Sequence, residues 1–165
     1  MKSYLILMIL SLSLTILSAN SFAKVTDRKY LNMVKDEIKT EAFEAYQSRS
    51  NPNYKFTVFT KEHERLFFIV STDYSRLKGY QGTTTLGIVF NDSLQVKQAS
   101  IIRSQETASY IKRINAMGFM RKFADYRPGD EVEIISGATM TCDAIIKSID
   151  ESLAKVKPLI LEYLK

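Results

Sequence analysis

Two hydrophobic periods alternate along the chain. Near its end, Cys142, Ile145, Ile146, Ile149, Leu153 and Val156 recur at helical spacing, while Asp143, Lys147, Glu151 and Lys155 form a charged line on the opposite side. Asp143 with Lys147 and Glu151 with Lys155 are favourable i,i+4 pairs, so this stretch predicts an amphipathic helix. Thr84, Leu86, Ile88 and Phe90 alternate instead, which marks one face of a strand. The uninterrupted apolar run at 66–70, rich in aromatic and β-branched residues, predicts a buried strand, and 56–59 predicts a short one. Segments 76–81, 83–90 and 94–102 then form a meander, in which the turn Asn91-Asp92-Ser93 makes the last pairing antiparallel.

Helical spacing also appears in two earlier places. Thr26 is placed to cap a helix running to about residue 46, with Leu31, Val34, Ile38, Ala42 and Ala45 on one face. After Ser104-Gln105-Glu106-Thr107, a second helix to about residue 123 would bury Ile111, Ile114, Met117 and Phe123. Polar turns at 48–53 and 126–130 end these helices, and Pro52 disfavours helix at Asn51. A short strand at 132–135 would lead into the last helix. Gly79, Gly82 and Gly87 interrupt the strands, where glycine signals a bulge or the close approach of another group. The expected fold is α+β: a mainly antiparallel sheet flanked by helices, in a single domain.

The start of the chain does not fit that domain. Lys2 precedes an uncharged, largely apolar run to about residue 17, and Ser21-Phe22-Ala23 offers small residues spaced for cleavage. Residues 1–23 are expected to be a secretory signal peptide, with an uncleaved membrane anchor as the alternative. Without a cysteine in the segment, a lipoprotein anchor is excluded. Of the remainder, 24–75 supplies the first helix and strands and 76–165 the rest of the same domain. The chain has 165 residues and a net charge of +5, with basic and acidic residues interspersed. No basic stripe interleaved with aromatics appears, so nucleic acid is not an expected partner. One cysteine, Cys142, rules out an intrachain disulfide, and its place on the apolar helix face predicts burial.

The chemistry available to side chains alone is thin. His63 is the single histidine, in a charged and solvated setting. No haem motif, paired-cysteine cluster, metal-ligand spacing, nucleophile elbow or dinucleotide fingerprint is present. Neither a catalytic residue nor a metal ligand is assigned, and any redox chemistry has to be brought by a cofactor. One segment invites such a group. Ser136-Gly137-Ala138-Thr139 is a run of small residues opening the last helix, where unpaired N–H groups and the positive end of the helix dipole suit a phosphate. The same residues are also ordinary capping residues.

Ser136-Gly137-Ala138-Thr139, followed by an apolar residue, Thr141 and an amphipathic helix, resembles the flavinylation motif of the FMN-binding domain family. That family includes the covalent-flavin subunits of the sodium-pumping NADH:quinone oxidoreductase and of the related ferredoxin:NAD oxidoreductase. Gly79-Tyr80-Gln81-Gly82 is similar to its Gly-Tyr-x-Gly segment. Glu106-Thr107 matches the start of its Glu-Thr-Pro-Gly, although Ala108-Ser109 replaces Pro-Gly here. Where the family usually has an Asp three residues before the motif's Ser, this chain has Glu133.

The resemblance implies FMN joined through its phosphate to Thr139, with Thr141 as the nearby alternative, installed from FAD by a flavin transferase that recognises Glu133. It implies Ser136, Gly137, Ala138 and Thr141 around the phosphate, and Glu106, Thr107, Tyr80 and Gly82 along the ring; for Glu106 and Thr107, helix capping is the competing role. The expected protein is a periplasmic or exported electron-transfer flavoprotein whose partners are the transferase and a membrane-bound or periplasmic redox protein. This favours an electron carrier, or a subunit of an oxidoreductase system, over a stand-alone enzyme. A flavin-dependent reductase of a small acceptor, or an exported module of the same fold without flavin, are the alternatives.

Overall fold

A computed structural model describes residues 21–165. Six strands run antiparallel in chain order: β1 (Phe22–Lys24), β2 (Phe43–Ser48), β3 (Lys55–Lys61), β4 (Glu64–Val70), β5 (Thr84–Asn91) and β6 (Val96–Ser104). Three helices cover them: α1 (Arg28–Ile38) between β1 and β2, α2 (Ala108–Ala116), and the long α3 (Thr139–Tyr163). The protein is a single α+β domain, as the periodicities predict.

Pleating sends alternate residues of the central strands into two cores. Phe67 and Ile69 of β4, with Leu86, Ile88 and Phe90 of β5, meet α3 through Cys142, Ile145, Ile149, Leu153 and Val156. On the other face, Leu66, Phe68, Val70 and Val89 meet Tyr30, Val34 and Ile38 of α1. This double cover explains why 66–70 is a continuous apolar run: both of its faces are dry. Both charge pairs expected along α3 form, Lys147 to Asp143 at 2.7 Å and Lys155 to Glu151 at 2.6 Å.

Several expected boundaries move. Helix α1 is capped by Asp27 rather than Thr26, its carboxylate accepting from Lys29 N at 2.9 Å and Tyr30 N at 3.4 Å. It stops at Ile38, where Lys39 turns left-handed at φ 57°. Residues 43–48 are strand, not helix. Their Ala and Glu favour helix, but Phe43 and Ala45 alternate with Tyr46 across the sheet, and five residue pairs with β3 override the propensity. The predicted strand at 76–81 is a loop with one isolated bridge, Lys78 to Thr83, and the predicted strand at 132–135 is an unpaired loop. The second helix ends at Ala116; Gly118, at φ 65°, starts a separate 3₁₀ turn, Phe119–Phe123. Ile114, Phe119 and Phe123 are buried there, whereas Met117, expected in the core, is 63% exposed because the break rotates it outward.

Most of the expected leader, residues 1–20, lies outside the described residues. Its last two residues are in β1: Phe22 pairs with Ser48 and Ala23 with Gln47. Phe22 is buried and packs edge-on against Phe56, with ring centroids 5.2 Å apart. Among the described residues, no helix is long and apolar enough to cross a membrane.

Candidate functional site

The unpaired segment 131–135 delivers the chain to α3 through a tight turn. Ile135 and Ala138 are buried and anchor it, and Ala138 N donates to Ile135 O at 3.0 Å. Between them Gly137 takes φ 80°, a conformation that side chains rarely adopt. Helix α3 then begins at Thr139 with no side-chain cap and no acidic residue in its first turn. Its first N–H to reach a backbone acceptor is that of Cys142, which donates to Ala138 O at 2.9 Å. The N–H groups of Thr139, Met140 and Thr141 thus have no backbone acceptor at the positive end of a 25-residue helix.

The two threonines of the motif differ sharply. Thr139 is exposed, with its hydroxyl on the first helical residue. Thr141 is 1% exposed and its hydroxyl donates to Glu106 Oε2 at 3.3 Å.

Glu106 is the joint of the site. It is buried, and its carboxylate also accepts from Gly82 N at 3.1 Å and from Gln81 N at 3.2 Å. Three separate segments meet there: the loop at 76–83, the end of β6 and the first turn of α3. Gly79 makes this meeting possible. A Cβ at that position would collide with Glu106 Oε1 and lie 3.2 Å from Thr141 Cα. Gly82 is similarly tight, since a Cβ there would stand 2.6 Å from Gln105 Cβ. Both glycines therefore mark close approach, whereas register shifts in the β5–β6 pairing fall at Thr85/Leu86 and Val89/Phe90.

The remaining expected residues lie around this joint. Thr107 occupies the N-cap position of α2 without a side-chain capping bond. Tyr80 is 57% exposed and stands edge-on to Tyr110, with centroids 5.6 Å apart. Ser136 is exposed beside Gly137. Glu133 points into solvent, where Lys122 Nζ meets its Oε2 at 2.8 Å and its carbonyl oxygen at 3.2 Å. That lysine holds its carboxyl below the usual range. Cys142 is fully buried, and burial pushes its thiol up, away from the reactive thiolate.

Sequence reasoning passed over Lys122, Tyr110 and Arg113. Arg113, on α2, brings its guanidinium against Gly137: a Cβ there would strike Nη1 and lie 3.4 Å from Cζ. No spacing signals these contacts, because each joins elements distant in sequence.

The fold and the site together define a small α+β domain in which a glycine turn offers an exposed hydroxyl and free N–H donors to an anionic ligand. Residues 79–154 match the family model of the FMN-binding domain, which supports a flavin-binding protein. The matched span runs from Gly79, through Glu106, to the buried face of α3. Comparison with curated proteins returns no match.

Proposed function

We propose that the protein carries FMN as a phosphoester on Thr139 and works outside the cytoplasm as an electron carrier, or as the flavin subunit of an oxidoreductase system. The observation that carries this reading is the contrast between the two threonines inside the matched domain. Thr139 presents its hydroxyl to solvent on the first residue of α3, whereas that of Thr141 is turned inward to Glu106. A modifying enzyme can reach only the first.

The residues present suit the group. Free N–H groups at the start of α3 are donors for phosphate oxygens, and the left-handed Gly137 keeps side-chain bulk away from them. Tyr80 and Met140, at 57% and 60% exposure, are the chain neighbours of Gly79 and Thr141, which approach closely: a Cβ on Gly79 would lie 3.2 Å from Thr141 Cα. They offer a flat aromatic ring an apolar surface that is otherwise wet. Bound FMN supplies one- and two-electron transfer at that ring. Glu106 works at one remove: its oxygens are taken up by Gln81, Gly82 and Thr141, so it fixes the loop carrying Tyr80 against the helix carrying Thr139.

The partners follow from the same reading. A flavin transferase would use FAD as donor and engage the solvent-facing carboxylate of Glu133, which the flexible ammonium of Lys122 can release. Electrons would then pass to or from a membrane-bound or periplasmic redox protein. Export, with the apolar run near Lys2 as leader or anchor, fits a cofactor that is covalently retained where lost flavin is not readily replaced. The test is Thr139→Ala in a host that has the transferase. The wild-type protein should stay yellow in denaturant, and the variant should fold normally and lose all denaturant-resistant flavin. Resistant flavin persisting in the variant would sink the assignment.

A further inference from the structure

Arg113 is an exposed residue of α2. Its guanidinium lies against Gly137, on the turn that hands the chain to Thr139. Among the described residues it takes part in no ion pair. Five N–H donors in a planar fork, paired with no carboxylate among the described residues, suit a phosphate. Lys122, the other basic side chain reaching this segment, is already engaged by Glu133. Two residues after Gly137, α3 begins with N–H groups that have no backbone acceptor, a second set of donors built from a different element.

We propose that Arg113 is the counter-charge of the phosphodiester that joins FMN to Thr139, and that it thereby positions the flavin. This rests on the covalent reading given above. In the transfer, Thr139 Oγ forms a bond to the phosphorus on the riboflavin side of FAD. The bond from that phosphorus to the bridging oxygen breaks, AMP leaves, and the hydroxyl proton passes to the transferase. Nothing is oxidised or reduced. The diester so formed keeps one negative charge, which is shared between the guanidinium on one side and the helix N–H groups on the other. Arg113 is a positioning residue here, since the bond-making groups are Thr139 and those of the transferase.

The test compares wild-type, Arg113→Ala and Arg113→Lys full-length chains, each exposed to FAD and a flavin transferase. Adduct formation is followed by intact mass, folding by circular dichroism of the unmodified chain, and the diester by its phosphorus-31 resonance in native protein and in urea. With folding unchanged, Arg113→Ala should load about tenfold more slowly, the effect of losing one hydrogen bond to a charged group. Its native resonance should move toward the urea position. Arg113→Lys, which keeps the charge, should recover most of the loading and of the native resonance. Wild-type loading and an unmoved resonance in Arg113→Ala would overturn the proposal, as would an Arg113→Lys chain that folds yet behaves like Arg113→Ala. A wild-type chain without an adduct on Thr139 would instead overturn the covalent reading itself.

Discussion

Replacing Glu106 by Gln and by Ala should separate its geometry from its charge. One oxygen, Oε1, accepts from Gly82 N at 3.1 Å and Gln81 N at 3.3 Å, while Oε2 accepts from the Thr141 hydroxyl at 3.3 Å. A Gln amide can place its oxygen where Oε1 stands and its NH₂ where Oε2 stands. The hydroxyl of Thr141, donor to the carboxylate, then becomes acceptor, and the bonds from Gly82 N and Gln81 N to Oε1 survive; only the 3.2 Å bond from Gln81 N to Oε2 is lost. The expected cost of Glu106→Gln is about 1 kcal/mol. Ala offers no such exchange. It strands the buried N–H of Gly82 and the buried hydroxyl of Thr141, at about 1 kcal/mol or more each, and removes the acceptor of the part-buried Gln81 N–H, for a total of about 3 kcal/mol. At roughly 3 °C per kcal/mol for a domain of this size, Glu106→Ala should lower Tm by about 10 °C and Glu106→Gln by about 3 °C. Thermal and urea melts of the unmodified chain measure both. Equal losses in the two variants would refute the reasoning, because the joint would then depend on charge rather than on hydrogen-bond geometry; an Ala variant as stable as wild type would show that no joint exists.

Other outcomes follow from particular contacts. Gly79→Ala should cost about 1–3 kcal/mol, since the added Cβ meets Glu106 and the backbone of α3, and thermal melts would show it. A chain beginning at Lys24 should melt well below one beginning at Ser21, because it loses Phe22 from the core at a cost of about 3 kcal/mol; equal melting would remove β1 from the account. Burial raises the Asp73 carboxyl to about 6, although Lys55 and Arg76 act to lower it, and its Oδ2 has no hydrogen-bond partner; Tyr30 faces it from α1. The folded state therefore holds this proton after the unfolded state has lost it, and stability should fall as pH rises from about 4 to about 6. Asp73→Asn should flatten that fall and raise stability at neutral pH by up to about 2 kcal/mol, read from urea melts across pH.

Much of the fold is legible in the sequence wherever one period prevails. The α3 face from Cys142 to Val156 and the alternation of Leu86, Ile88 and Phe90 both match the observed core, because each period sends its apolar residues to the face that β5 and α3 share. Residues 43–48 mislead because Glu and Ala favour helix locally and only pairing with β3 makes them strand. The segment 76–83 misleads differently. Its glycines suggest an interrupted strand, while in the structure they clear space for Glu106 and Gln105. At the site, the motif's residue types disclose the phosphate-suited turn, and resemblance discloses the family. Neither discloses that Thr139 faces solvent while Thr141 faces Glu106, nor that Arg113 covers Gly137. Those depend on which elements the sheet brings together.

The central claim is a covalent bond to one residue, and intact-mass spectrometry with peptide mapping tests it most directly, on protein made and exported in a host with a flavin transferase. The account predicts a mass increase of one FMN less water, carried by the peptide that contains Thr139 and located on that residue. An unmodified chain from such a host, or an adduct located on Thr141, would contradict it.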